Sequence, residues 1–279
     1  MWIIWGSTYL AIRISLESLP PFGMAGVRLV LAGLVIMAIS AARGIAIPTA
    51  KEWRGALIVG ALMFVGGNGS VCYAEQSVSS GLVAILVSAV TLWSALLGMI
   101  WGDHPTRRQW FGILLGIVGV VVLNVGGSLS ASPIAAVALL LGSPAWALGS
   151  ILGRRLPMPR GTMASGAQMA AGGVCLGLLS AVMGEHVGVV TTNSALAFVY
   201  LLTFGSIIGF TAYGYLLRHA SLPVATSYAY VNPVVAVMLG IGFGHEQLDA
   251  QSWVGLATLF AAVVMVTWPA AHVSDRSAA

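Results

Sequence analysis

Residues that could do chemistry stand in or beside the long apolar runs of this chain, and they fall into two sets. The first set is polar or aromatic. Asn68 and Glu75 are seven positions apart, so they share one face of a helix; Ser88 and Thr91 are three apart, and Tyr228 and Asn232 four apart, again on shared faces. Pro233 offers no amide hydrogen to the carbonyl of Ala229 and crowds it, which frees a backbone oxygen; Pro144 does the same for Leu140, beside Trp146. Tyr213 is a further aromatic candidate, with plain packing as its alternative. Amides, hydroxyls, aromatic rings and freed carbonyls are the materials of a small-molecule cavity. For each residue taken singly, an interhelical hydrogen bond without any ligand is the competing explanation.

The second set is charged: Arg13, Glu17, Arg28 and Glu75. An arginine at mid-membrane costs roughly 2.5–3.5 kcal/mol on insertion scales and less near the interface, so each needs a partner or a wet cavity. Arg13 and Glu17 stand at i, i+4, one above the other on a helix, and Glu75 is a second candidate partner. The set makes either a charged outer gate or carboxylate-binding vestibule, or an ion pair that only ties helices together.

Other chemistries lack their parts. All five histidines (104, 186, 219, 245 and 272) fall in connections or tails, so no histidine stands at depth beside a serine, and no i, i+4 metal pair occurs. Cys72 and Cys175 lie in separate apolar runs, as small packing residues do. The single lysine, Lys51, is followed by Glu52, which excludes a phosphate-binding P-loop. No catalytic residue, metal or cofactor is expected.

The elements that must position these residues are read from hydropathy. Of 279 residues, 58% are hydrophobic and 7% are charged, and mean hydropathy is +0.96. Soluble domains carry roughly 25% charged residues, so this chain needs hydrocarbon as its solvent. The runs predict an all-α polytopic membrane protein with ten spans, near 2–18, 22–42, 55–74, 80–101, 109–127, 134–153, 162–184, 195–217, 222–244 and 251–269. The first run lacks a basic start and holds Arg13, so it reads as a span rather than a signal peptide.

Charge sorts across these spans. Ten of the twelve basic residues fall in connections 43–54, 102–108, 154–161 and 218–221 or in the C-terminal tail, and the other two are Arg13 and Arg28. The opposite side carries Glu17, Glu75, Glu185, Glu246 and Asp249. The positive-inside rule then places both termini in the cytoplasm. Basic residues cluster only as pairs, Arg107–Arg108 and Arg154–Arg155, which is an orientation signal and not a nucleic-acid surface.

The chain also repeats. Gly6-Ser7 matches Gly142-Ser143, Tyr73 to Gly98 aligns without a gap with Tyr215 to Gly240, and Trp110-Phe111-Gly112 parallels Trp253-Val254-Gly255. The expected organisation is one five-helix repeat over 1–127, a second over 134–269, and a cytoplasmic tail over 270–279. An odd number of spans per half inverts the second relative to the first, which suits alternating access around a site between the halves. Spaced glycines such as Gly112-x3-Gly116, Gly205-x3-Gly209 and Gly240-x-Gly242-x-Gly244 suit close helix packing.

Trp5-Gly6-Ser7-Thr8-Tyr9, Pro20-Pro21, Arg28, Gly67-Asn68-Gly69, Ala74-Glu75-Gln76, Ser79-Ser80-Gly81 and the run from Ala225 to Ala236 with Glu246 together resemble the EamA-type branch of the drug/metabolite transporter superfamily, and within it the YedA-like permeases. That resemblance covers nearly the whole chain. It implies ten helices, a cavity between inverted five-helix repeats, and export of small organic metabolites, amino acids or drugs from a bacterial inner membrane. This chain departs from the pattern in having Thr91 where the first half usually has proline, and in having only Asp103-His104 after that helix, where the second half keeps the usual acidic residue as Glu246. Its fourth span is therefore expected to bend less. The chain also starts later than such relatives lead one to expect, so upstream residues are expected to be missing.

The reading that follows is a secondary carrier, with substrate near Asn68, Thr91, Trp146, Tyr228 and Asn232. A non-transporting scaffold or receptor and an intramembrane enzyme are the rivals. Glu75 is the one carboxylate placed to carry a coupled proton, and monomer and homodimer stay equally open.

Overall fold

A computed structural model of the chain describes residues 2–102, 106–125, 133–219 and 250–267, with Tyr228, Asn232, Val235, Ala236, Met238, Leu239 and Gly242 between the last two stretches. The described residues with regular structure are helical. The helices are α1 (Trp2–Ser15), α2 (Pro21–Ala42), α3 (Ala50–Ala74), α4 (Ser80–Val87), α5 (Val90–Trp101), α6 (Arg107–Val125), α7 (Pro133–Leu152), α8 (Thr162–Val182), α9 (Thr192–His219) and α10 (Ala250–Thr267). Among the described residues, five stretches are long and apolar enough to cross a membrane: Pro21–Ala42, Ala50–Ala74, Ile134–Leu152, Thr162–Val182 and Thr192–His219. Their outward faces carry large apolar side chains with no protein cover, among them Val27, Leu34, Leu141, Val174 and Leu178. Exposed apolar area of that extent needs lipid against it. The predicted span 222–244 and the tail 270–279 lie largely or wholly outside the described residues.

The helices start and stop for local reasons. Pro20-Pro21 opens α2, where a missing amide hydrogen is harmless. The first amides of α2 are capped from another helix: the Glu185 carboxylate, just past α8, accepts from Gly23 N at 2.8 Å and Phe22 N at 3.2 Å. Thr49 and Glu52 form a capping box at the start of α3. Gly44, Gly102 and Gly184 take positive φ where chains leave helices.

The structure repeats itself as the sequence does. Both α3 and α9 widen into a π-helix in mid-course, over Ala61–Gly69 and Leu201–Ile208, segments that begin 140 positions apart. The packing is reciprocal: α2 lies on α8 and α6 on α10, while α3 packs on α7 as α9 packs on α1. The α2–α8 contact is close because glycines face backbone across it. A Cβ on Gly33 would stand 2.6 Å from Ala170 N, and one on Gly173 would stand 2.7 Å from Val30 N. Gly26 and Gly166 complete the pattern, and both pairs, Gly26/Gly166 and Gly33/Gly173, are 140 positions apart. In lipid, helix association depends on such packing, since the tails are as apolar as the side chains.

One expectation is overturned. The fourth span, expected to bend less for want of proline, is interrupted between α4 and α5. The amides of Ala89 and Thr91 bond three residues back, to Leu86 and Ser88, instead of four. The Thr91 hydroxyl donates to the Ser88 carbonyl at 3.0 Å, and the Ser143 hydroxyl of α7 donates to the Leu86 carbonyl at 3.4 Å. Hydroxyls thus hold the tightened turn that proline was expected to supply. Conversely, α7 runs unbroken through Pro144.

Gly33→Val should force α2 and α8 apart and cost about 1–3 kcal/mol, as overpacking does. Thermal unfolding in detergent, followed by size-exclusion recovery, would show it. Gly177→Ala is the control, because a Cβ there meets nothing within 4 Å and should leave the melting curve in place.

Candidate functional site

The site grows from the first turns of α1. Trp5, Thr8, Tyr9 and Ile12 fall at i, i+3, i+4 and i+7, one helical face, and all four line a cavity of about 70 Å³ in the middle of the bundle. Opposite them stand Arg28 of α2, Asn68 of α3, Trp146 of α7, and Tyr228 and Asn232. The Tyr9 hydroxyl hydrogen-bonds the Asn232 side chain.

Arg28 is 2% exposed, and its Nη2 donates to Asn68 Oδ1 at 2.7 Å. Asn68 sits in the π-helical part of α3, where the backbone is widest. A hydrogen bond from a charged donor is worth about 1.5–3 kcal/mol, above the neutral range. This one anchors the guanidinium at depth.

The floor of the cavity is aromatic. Trp5 is its hub, with ring centroids 4.8 Å from Tyr228, 5.0 Å from Phe210, 5.2 Å from Tyr213 and 6.1 Å from Trp146. Each half contributes a tryptophan that lies against a widened, glycine-bearing stretch of the other half. The Trp5 indole N–H donates to Gly205 O at 3.1 Å, and a side chain at Gly209 would collide with that ring. Trp146 lies on Gly67, where a Cβ would come within 2.6 Å of the ring. Edge-on and tilted contacts at these distances add about 0.5–1.5 kcal/mol per pair beyond area burial, so the cluster is a firm partition.

A second cavity, of about 610 Å³, lies beyond the partition. Phe210 lines both cavities, and Phe64 and Tyr213 face the larger one. The Tyr213 hydroxyl pairs with Ser150 Oγ at 3.1 Å. The larger cavity runs to Arg154, just past α7, and to Arg218, in the last turn of α9 rather than in the connection expected from sequence. Two wells separated by one aromatic wall can hold a small molecule on either side of a barrier.

The candidates named from sequence separate accordingly. Asn68, Trp146, Tyr228 and Asn232 come together in the smaller cavity, and Tyr213 lines the larger. Ser88 and Thr91 are buried behind the wall that Val87 and Val90 form, and they hold the turn between α4 and α5. Pro233 lies outside the described residues. Of the charged set, Arg28 lines the smaller cavity, Glu75 is buried at 3% exposure within electrostatic reach of Tyr9, and Arg13 and Glu17 are exposed at the end of α1. Sequence reasoning missed Trp5, Thr8, Tyr9 and Phe210. The i, i+3, i+4, i+7 spacing of the first run was the available signal for three of them.

Comparison with known proteins gives three findings. The model of the EamA-like transporter family matches residues 1–125 and again 133–268. The inner membrane transporter YedA of Escherichia coli (strain K12) is 44% identical over 96% of this chain and 88% of its own length, and a probable terminal-alkyne amino-acid exporter of Streptantibioticus cattleyicolor is 25% identical over 95% and 90%. A solved crystal structure superposes with a TM-score of 0.70 at 18% identity, covering 95% of this chain and 94% of that one, which speaks for the fold.

Asn68→Ala removes the acceptor of a buried charged donor and should lower stability by about 1.5–3 kcal/mol. Detergent-phase unfolding of Asn68→Ala, Arg28→Gln and the double variant would check it. The double variant should lose less than the two single losses added together.

Proposed function

The chain belongs to the EamA-like transporter family, matched once in each half, and from that premise we propose that it is a secondary carrier of small organic molecules working by alternating access. The family is one of transporters, so the intramembrane-enzyme reading falls away. With no P-loop, energy comes from a solute or ion gradient. By its likeness to YedA the chain is a multi-pass inner membrane protein. Likeness to an amino-acid exporter makes export the favoured direction.

One observation carries the reading: two cavities back to back against a wall of rings that both halves supply. Rocking one half against the other would part the Trp5 and Trp146 edges and join the smaller cavity to whichever side opens. The reciprocal packing of α2 on α8 and of α3/α7 against α9/α1 supports two five-span halves of inverted orientation. Nine of the ten predicted spans coincide with described helices, which supports the ten-span count. The sorting of basic residues puts both termini and the mouth of the larger cavity in the cytoplasm. Glu75, buried near Tyr9, is the residue to examine for proton coupling.

In proteoliposomes loaded with an extract-derived metabolite panel, the wild type should release one class of solute faster than empty vesicles. Asn232→Ala should cut that flux at least tenfold while inserting normally; unchanged flux would remove Asn232 from the site. Orientation has its own check. In a chain lacking Cys72 and Cys175, Ser165→Cys, on the wall of the larger cavity, should react with an impermeant thiol reagent from the cytoplasmic face and resist it from the other.

A further inference from the structure

Resting on the carrier reading, we infer that the cargo is a small organic acid whose carboxylate is held by Arg28 and whose apolar body lies against Trp5 and Trp146. Arg28 is the starting point. A guanidinium has five N–H donors and no acceptor. Here the Asn68 oxygen engages Nη2, while Nε is buried with no hydrogen-bond partner. Among the described residues, no carboxylate stands within ion-pair distance of it. A buried cation is stable only when its charge is matched and its donors are met, so an anion from outside the chain is the missing component.

The cavity walls point the same way. Among the described residues neither cavity is lined by Asp or Glu, while Arg28 lines the smaller and Arg154 and Arg218 the larger. A cleft walled by one sign of charge concentrates the opposite sign and repels its own. An anion entering between Arg154 and Arg218 would pass the rings and meet the third arginine.

Shape and size narrow the class. The planar fork of an arginine matches a carboxylate through two parallel hydrogen bonds. Asn68 orients that fork while its own amide keeps two further N–H donors. A phosphate dianion would call for more than the single cation this cavity offers. Trp5, Trp146 and Phe210 with Val71, Val87 and Val90 give the cavity an apolar and aromatic stretch of wall. About 70 Å³ is under half of the roughly 150 Å³ that takes up a benzene, which limits the cargo to a carboxylate on a short apolar body.

Propionate and propionamide are a near-isosteric pair that differ in charge, and radiolabelled propionate with propionamide as competitor reads the preference on purified full-length protein in detergent. The wild type should favour propionate at least tenfold. Arg28→Gln should bring that ratio close to one, and Arg28→Lys, which keeps the charge and loses the fork, should fall between. A wild type that binds both alike, or neither, overturns the assignment, as does a folded Arg28→Gln that keeps the preference. If Arg28→Gln does not fold, the wild-type ratio decides alone. Binding in micelles needs no gradient and no flux, so a protein that prefers propionate yet carries no solute in vesicles would sink the carrier reading and leave the site standing.

Discussion

Hydrocarbon tolerates no bare amide or carbonyl, and the architecture of this chain follows from that. Each unmatched backbone group in lipid is costly enough that a spanning segment must bond within itself. The lipid-facing stretches of α2, α7 and α8 accordingly stay helical throughout, and α7 does so through Pro144 at the loss of one bond, to the Leu140 carbonyl. Helix geometry changes in three described spans, at the widened turns of α3 and α9 and at the tightened turn between α4 and α5. All three border the cavities or their aromatic wall. Hydroxyls from Thr91 and Ser143 complete the bonding where the ladder tightens. Irregular backbone is confined to places where protein can satisfy it.

Duplication supplies the frame, and departures from duplication supply the chemistry. Glycines at positions 26 and 33 recur at 166 and 173, and they mesh α2 with α8. Each half sends one tryptophan into the other, so the partition belongs to neither half alone. At the polar positions the halves differ. Arg28 corresponds by spacing to Gln168, and Asn68 to Ile208. The deep cation and its amide partner exist in one half only, which makes the two cavities chemically unlike: Arg28 faces the smaller, Gln168 the larger. A symmetric scaffold with an asymmetric lining suits a carrier that takes one orientation of a cargo and must release it on the other side.

Much of the fold was legible in the amino-acid order because its causes are local or compositional. Hydropathy marked the spans, since burial in lipid acts on every residue of a run. The arginine distribution separated one set of connections from the other. The gapless match of Tyr73–Gly98 with Tyr215–Gly240 announced a duplication, and the family model matches the chain twice. Within the site, Asn68, Trp146, Tyr228 and Asn232 were recognisable because a polar or amphipathic group in an apolar run needs a reason to be there.

What required the folded chain was every relation between distant helices. Arg28 and Asn68 are forty positions apart, and no spacing rule says that the guanidinium turns to that amide rather than outward to an acid. At the break at Ser88–Ala89 a hydroxyl from another helix, Ser143, bonds the Leu86 carbonyl, a contact that a proline-based expectation does not include. The α1 face bearing Trp5, Thr8 and Tyr9 had a visible period, but a period does not reveal whether a face meets lipid, protein or a cavity. The sequence by itself determined that these helices form and that they come in two sets, because those outcomes rest on hydrocarbon transfer and on short-range bonding. Tertiary structure alone decided which polar groups meet and where empty space remains, because both are properties of how surfaces far apart in the chain fit together.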